Sequence, residues 1–326
     1  MINEEKLAVR RAVRDALADL AIDDVVLVAC SGGADSLALA AAVADVSTRE
    51  GRRAGGVTVD HGLQSGSAER ARKVAVDLVR LGLDPVEVVQ VRMVDDLQGP
   101  EGNARRARYA ALDAAATRHA AMAVLLAHTR DDQAESVLLG LARGSGARSL
   151  AGMAAGVGRY RRPLLAMPRQ VVRAAVPDGL TPWEDPHNID LTFARARVRQ
   201  RVLPTLEAEL GPGIAAALAR TADLLRVDAD ALDAWAGRAL TECMIEGSAE
   251  HALDVGLLAT YPQAIRQRVL RRSAIAAGSP ATDLTAAHVE AMDSLIIQWH
   301  GQVGVDLPGK LRAHRAGGVV VIGPPD

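Results

Sequence analysis

The sequence predicts a doubly wound α/β protein with a mostly parallel sheet, followed by a mainly helical C-terminal domain that ends in short strands. Three observations carry that expectation. Short apolar runs at residues 25–28, 55–60, 86–91 and 123–127 alternate with longer stretches of helical periodicity. The first run passes directly into a glycine turn and then into an Ala/Leu-rich stretch at 37–44, as at a strand-to-helix junction in an open sheet. Past Pro168 the composition shifts, and beyond the Gly211-Pro212-Gly213 turn the chain reads as helices closing on an alternating tail. The expected division is a first domain over residues 1–210, with a helical extension from about 168 to 210, and a second over 211–326.

Length and composition fit two domains. The chain has 326 residues and is 49% apolar, enough for a large core, yet only seven residues are aromatic, so the core is built from Ala, Val and Leu. Cys30 and Cys243 form no spaced pair, which argues against a disulfide framework or a cysteine zinc site and fits a reducing compartment. The charged start, Met1-Ile2-Asn3-Glu4-Glu5-Lys6, does not read as a signal peptide, and no window is long and apolar enough for a bilayer. A net charge of −2 neither requires nor excludes nucleic acid; what counts is whether the 38 basic residues cluster, and they partly do.

Taken in order, residues 7–20 form a lead-in helix with solvated arginines. The run Val25-Val26-Leu27-Val28 is a short buried strand, and Ala29-Cys30-Ser31-Gly32-Gly33-Ala34-Asp35-Ser36 follows it. A glycine turn at a helix N-terminus points free backbone N–H groups and the positive end of the helix dipole at an anion. Gly32 and Gly33 allow close backbone approach to a phosphate, and Ser31 and Ser36 add hydroxyls. Asp35 beside a phosphate calls for a cation between them, so it reads as a Mg²⁺ ligand on ATP or pyrophosphate. The loop is no Walker motif, because no Gly-Lys-Ser/Thr follows. The plain alternative is an ordinary glycine turn with a Ser or Asp cap. In full, Ser31-Gly32-Gly33-Ala34-Asp35-Ser36 resembles the pyrophosphate loop of the PP-loop ATP pyrophosphatases, which adenylate an oxygen and release pyrophosphate.

Residues 55–60 form the second strand, and Asp60-His61-Gly62-Leu63 ends it where ligands bind in open α/β sheets. Taken alone, His61 reads as a turn histidine with a local hydrogen bond. A helix at 67–81 and a strand at 86–91 follow. The helix at 103–119 opens with Arg105, Arg108 and Tyr109; the two arginines share a face, and Glu101 lies four residues before Arg105, a pattern that a solvated ion-paired face also explains. After the strand at 123–127 comes His128-Thr129-Arg130-Asp131-Asp132-Gln133-Ala134-Glu135. Asp131 and Asp132 suit helix capping, but Asp132 and Glu135 also face the same way and concentrate negative charge fit for an ammonium group or a metal. Arg143-Gly144-Ser145-Gly146 reads as a helix C-cap. Helices are expected at 194–210, with Pro204 marking a kink or break, at 215–246 with Trp235 in the core, at 261–277 and at 285–299; short strands end the chain. Arg195, Arg197, Arg199 and Arg201 spread around their helix and suit either phosphates or solvent, and Arg266, Arg268, Arg271 and Arg272 form a second basic helix.

In sequence order, the 31–36 loop, residues 59–63, Glu101 with Arg105, Arg108 and Tyr109, residues 127–135, Arg143 to Gly146 and Arg162-Pro163-Leu164-Leu165 resemble the motif series of the bacterial tRNA(Ile)-lysidine synthases. Trp183-Glu184-Asp185-Pro186-His187-Asn188, followed by Arg195, Arg197 and Arg199, extends the match to about two thirds of the chain. Gln64, Arg130 and Ala196 depart from the family pattern, where an arginine, a small residue and an asparagine are usual. The resemblance implies an adenine nucleotide α-hydrolase-like fold, a PP-loop ATP-binding catalytic domain over 1–210 and a tRNA-binding domain over 211–326. It implies ligation of L-lysine to C2 of the wobble cytidine of tRNA(Ile) with a CAU anticodon, through an adenylated cytidine, in the cytoplasm and without a membrane; a homodimer is compatible with it.

By the same resemblance, Ser31, Gly32, Gly33, Ala34, Asp35, Ser36 and His61 bind ATP or pyrophosphate, and Asp35 holds Mg²⁺. Asp132 and Glu135 take the ammonium of lysine and Arg108 its carboxylate, so that Asp35, Arg108, Asp132 and Glu135 form the catalytic set. Arg195, Arg197, Arg199 and Arg201 contact tRNA. The rival readings are another PP-loop synthetase acting on a small molecule, a tRNA thiolase, which usually needs spaced cysteines, and a non-catalytic tRNA-binding protein.

Overall fold

The computed structural model describes residues 3–62, 66–91, 99–144, 146–186, 189–245 and 251–325. Leu63, Gln64, Ser145, His187 and Asn188 lie outside the described residues, as does the side chain of Glu101. The chain divides into two compact units, residues 1–226 and 227–326.

The first unit opens with α1 (Glu4–Ala16), whose Asn3 side chain caps the Lys6 N–H, and β1 (Val25–Ala29). There follow α2 (Ala34–Glu50), β2 (Ala54–Asp60), α3 (Ser67–Arg80), β3 (Val86–Gln90), α4 (Gly99–Arg118), β4 (Ala121–Leu125) and α5 (Arg130–Ala142). Each strand expected from the apolar runs is present. The sheet continues through β5 (Gly156–Val157) and β6 (Tyr160–Arg161), which sequence periodicity did not reveal, in the order β3-β2-β1-β4-β6-β5. All pairings are parallel except β5 with β6.

β1 is buried on both faces, which is why it reads as an unbroken apolar run. Val26 and Val28 pack with α1, α2 and α3 residues such as Val13, Leu39 and Val74. Val25 and Leu27 point the other way, onto Leu112, Ala115 and Ala116 of α4. From β1 the chain moves to β2 and β3 on one side, then returns across the sheet to β4 on the other. The carboxyl ends of β1 and β4 therefore flank the crevice where strand order reverses, the place for a ligand in such a sheet.

Short helices α6 (Ala147–Leu150) and α7 (Arg169–Ala174) follow, then α8 (Ala194–Arg197), a π-helical turn at Val198–Val202 and α9 (Leu203–Leu210). Pro204 does not break this helix, in contrast to the sequence expectation. It sits in the first turn of α9, where its missing N–H costs little, and the irregularity is the π turn before it. Ala134 of α5 packs with Val198 and Leu203 of this segment. Helix α10 (Ile214–Cys243) begins just after the Gly211-Pro212-Gly213 turn and runs across the division between the units.

The second unit contains the rest of α10, β7 (His251–Asp254), α11 (Val255–Thr260), α12 (Gln263–Ala276), α13 (Ala286–Ile297), β8 (Val305–Leu307), β9 (Leu311–Ala316) and β10 (Val319–Gly323). The strands form an antiparallel sheet in the order β7-β10-β9-β8. Leu253, Ile265, Leu270, Met292 and Val320 lie in its core. Trp235, expected in the core, is 41% exposed, because Ala236 and Ala239 supply the buried face of α10. Arg266, Arg268 and Arg271 of the basic helix α12 bond within the unit. Arg266 forks onto Asp293 at 2.7 and 3.1 Å, Arg268 pairs with Asp233 at 3.0 Å, and Arg271 donates to the carbonyls of Ala281 and Leu284.

Among the described residues, no helix is long and apolar enough to cross a membrane.

Candidate active site

The loop after β1 is shaped by its own side chains. Gly32 adopts a left-handed φ of +84°, and a Cβ there would stand 2.6 Å from Val74 Cγ2, so the position accepts only glycine without strain. Gly33 is the N-cap of α2, with Ala34 as its first helical residue. The Ser36 hydroxyl donates to the Gly33 carbonyl at 2.9 Å and accepts from the Ser31 N–H at 3.2 Å. Ser36 thus holds the loop closed, whereas Ser31 is exposed on it. The Trp183 N–H donates to the Gly32 carbonyl at 2.9 Å, and the Arg70 guanidinium lies 3.4 Å from the Trp183 ring centroid. The Trp183 segment is thereby pinned against the loop.

Asp35, in the first turn of α2, has a shielded Oδ1 without a hydrogen-bond partner among the described residues. Burial raises its pKa against the pull of Arg169, and the neighbouring charge of Asp132 adds to the effect of burial. An orphaned carboxylate oxygen beside a phosphate loop fits one ligand of a Mg²⁺ ion carried mostly by phosphate oxygens. No cluster of three His, Cys, Asp or Glu side chains among the described residues forms an all-protein metal site.

Across the crevice, α5 starts with a capping box. Asp132 Oδ2 accepts from the Thr129 N–H and hydroxyl, both at 2.8 Å, so the capping explanation of Asp132 holds. Its other oxygen, Oδ1, remains for the site and is taken by two arginines, Arg169 at 2.7 Å and Arg199 at 3.2 Å. Burial opposes ionisation of Asp132, but Arg169 and the hydrogen bonds from Thr129 hold its pKa below the usual carboxylate range. Glu135 is fully buried and faces three guanidiniums: Arg169 at 3.2 Å, Arg199 at 2.7 and 3.0 Å and Arg195 at 3.3 Å. Arg169 also reaches Asp35 at 3.5 Å, and its backbone N–H donates to Asp131 at 2.8 Å. Asp35, Asp132 and Glu135, expected to act together, are therefore brought together, and three arginines neutralise them.

A basic group lies beside this cluster. Burial, followed by Arg108, lowers the pKa of His61, which follows β2, and its Nδ1 is shielded without a partner among the described residues. His128, which follows β4, is pushed down to about 3 by burial, with Arg108, Arg162 and Arg195 adding to the effect and Asp132 opposing it. Arg108 from α4 is likewise desolvated, which lowers its pKa, and its Nε has no partner among the described residues. Neutral imidazoles beside an arginine that has no carboxylate partner among the described residues suit an anionic group.

The basic stretch read from the sequence divides in two. Arg195 and Arg199 turn inward to Glu135, while Arg197 and Arg201 are exposed. Arg197 bonds the carbonyls of Leu191 and Thr192. Arg169 and His128 carry no role in the sequence reading. Arg169 meets Glu135 and Asp132 from 34 and 37 residues away, and Asp35 from the far end of the domain's sequence, so no local pattern marks it. His128 could have been noticed as a second histidine at a strand end, equivalent to His61.

Comparison with known proteins agrees with this architecture. A PP-loop domain model matches residues 6–206, and a TilS substrate binding domain model matches residues 253–319. The chain is 60% identical to the tRNA(Ile)-lysidine synthase of Thermobifida fusca over 315 residues, covering 96% of each chain. It is 57% identical to that of Streptomyces coelicolor, covering 91% of this chain and 85% of the relative. Among solved structures, a U34-tRNA thiolase, NcsA from Methanococcus maripaludis, superposes with a TM-score of 0.56 at 19% identity, over 69% of this chain and 81% of that one, a likeness of fold alone.

Proposed function

The chain belongs to the tRNA(Ile)-lysidine synthase family, and from that premise we infer that it ligates L-lysine to C2 of the wobble cytidine of tRNA(Ile) with a CAU anticodon, at the expense of ATP. The product, lysidine, changes decoding from AUG to AUA. The observation that carries the reading is the meeting of the phosphate loop with Asp132 and Glu135 across the β1–β4 crevice in a chain 60% identical to a named synthase.

ATP lies along the Ser31–Ser36 loop, with its phosphates on the backbone N–H groups of Gly32, Gly33 and Ala34 at the positive end of α2. When bound, Mg²⁺ supplies charge neutralisation of the phosphates, and Asp35 is the residue that holds it. The C2 carbonyl oxygen of the cytosine attacks the α-phosphorus, and pyrophosphate leaves. The amine of lysine then attacks C2 and loses a proton, and AMP leaves with the former carbonyl oxygen. Adenylation is needed because a carbonyl oxygen is a poor leaving group. The protein positions the reactants and neutralises their charge.

Asp132 and Glu135 hold the ammonium end of lysine, and Arg108, whose Nε has no partner among the described residues, takes the carboxylate. His61, kept neutral by burial, lies on the nucleotide side. Arg197 and Arg201 make phosphate contacts with tRNA, while Arg195 and Arg199 of the same segment tie that contact to the acids. Residues 211–326 hold the body of the tRNA, and residues 1–210 carry the chemistry. The setting is cytoplasmic, where tRNA, ATP and free lysine coexist; a homodimer is the assembly to test by light scattering.

The deciding assay is incorporation of labelled lysine into unmodified tRNA(Ile) bearing CAU, with and without ATP, beside the CAU-bearing tRNA(Met). ATP-dependent label on the first tRNA alone is expected. ATP turnover without label on either tRNA would favour a small-molecule synthetase.

A further inference from the structure

The mechanism above gives Arg169 no task, yet among the described residues its guanidinium alone touches all three acids of the site. Nη2 lies 2.7 Å from Asp132, Nη1 3.2 Å from Glu135 and Nε 3.5 Å from Asp35. These partners sit on different elements: Asp35 at the start of α2, Asp132 and Glu135 on α5. We infer that Arg169 is a positioning residue that sets the separation between the phosphate-loop carboxylate and the two lysine-binding acids, and with it the separation between the activated base and the attacking amine. The inference rests on the lysine-pocket reading given above.

Three features support it. First, Arg169 projects from a fixed base. It opens α7, its N–H is held by Asp131, the Arg130 N–H donates to the Met167 carbonyl two residues upstream, and Val172 anchors α7 in the core. Second, a planar guanidinium has the rigid fork needed to serve three carboxylates at once; an ammonium does not. Third, the charges fix which cation stays. Arg169, Arg195 and Arg199 already neutralise Asp35, Asp132 and Glu135, so an incoming ammonium has to replace one of them. The Arg195 and Arg199 side chains are 31% and 27% exposed and rise from the segment around the π turn, whereas Arg169 is 13% exposed. The first two can withdraw toward solvent or phosphate, and Arg169 remains as the strut.

The test compares wild type, Arg169→Gln and Arg169→Lys as full-length chains. It measures kcat and KM for lysine on the CAU-bearing tRNA(Ile), lysine affinity by calorimetry without ATP, and thermal unfolding. Arg169→Gln is expected to lower kcat on the order of 100-fold, the effect of about 1 Å of misplacement. Its lysine KM and affinity should be unweakened, because the acids have lost a competing cation. Arg169→Lys should recover only part of kcat. A wild-type kcat in Arg169→Gln, a raised KM at normal kcat, or full recovery in Arg169→Lys would each overturn the positioning role. Should Arg169→Gln not fold, Arg169→Lys decides alone, and a normal kcat refutes the inference. A wild-type chain that fails to incorporate lysine removes the functional reading and this inference with it; an active wild type matched by Arg169→Gln removes the inference only.

Discussion

Gly32→Ala isolates the contribution of the phosphate loop's shape. Two costs act on it. The left-handed φ of +84° charges a non-glycine residue about 1–2 kcal/mol. The new methyl also stands 2.6 Å from Val74 Cγ2, far inside van der Waals contact, and forcing it into a packed core costs about 1–3 kcal/mol. Together they reach about 2–5 kcal/mol, a large share of the stability of an ordinary domain, about 5–15 kcal/mol. The two terms separate in a double-mutant cycle. Val74→Ala alone loses about 2 kcal/mol of burial and packing. It opens the space the alanine methyl needs, so the double mutant should be more stable than the sum of the single effects by about 1–3 kcal/mol, with the φ cost left behind. Equilibrium urea unfolding of the four proteins measures this, and ATP binding reports whether the loop regains its shape. Strict additivity, or a Gly32→Ala protein as stable as wild type, would refute the reasoning that Val74 and backbone sign together dictate glycine here.

Glu135→Gln removes the carboxylate shared by three buried or half-buried guanidiniums; it should cost about 3–5 kcal/mol in stability and abolish lysine incorporation while ATP still binds, and normal lysine dependence would sink the assignment. Arg201→Gln should weaken tRNA binding and lower its salt slope by about one, with kcat intact at saturating tRNA, whereas Arg199→Gln should lose turnover; filter binding across salt concentrations and single-turnover rates separate the two. His128 has a folded pKa near 3 against an ordinary 6.5, so the unfolded chain binds the extra proton between those values. Its contribution to stability is complete above pH 6.5 and drains as pH falls, by up to about 1.4 kcal/mol per pH unit. The unfolding free energy of His128→Asn should therefore fall less steeply over that window, and an unchanged slope would contradict a buried neutral imidazole.

The sheet's four long strands were legible because each is a contiguous apolar run bounded by turns, and the phosphate loop because its glycines and carboxylate sit within six residues. β5 and β6 were not, since two-residue strands have no period. β7 begins just past residues outside the described set and is only four residues long, too short for alternation to stand out. The acidic half of the site was legible as Asp132 and Glu135 on one helical face. Its counterions were not, because ion pairs between α7, α8 and α5 depend on tertiary packing rather than spacing. The partners of Arg266, Arg268 and Arg271 in α12 were hidden for the same reason: Asp293, Asp233 and backbone carbonyls come together with them only in the folded unit.

The segment from Ala194 to Leu210 explains why a basic run could be read only as spread around its helix. A π turn widens the backbone at Val198–Val202, and Val198 and Leu203 pack on Ala134 of α5. With that face held down, Arg195 and Arg199 are carried to Glu135, and Arg197 and Arg201 are left outside. One short segment thus presents two arginines to the acids we assign to lysine and two to the surface where tRNA phosphates would arrive. A phosphate drawing on the outer pair pulls on the same turn that seats the inner pair. If lysine's ammonium replaces Arg199 at Glu135, tRNA and lysine binding are linked, and by thermodynamic reciprocity each must strengthen the other by the same factor. Calorimetric titration of lysine with and without bound tRNA measures that factor; equal lysine affinity in both would mean that the inner arginines stay where they are.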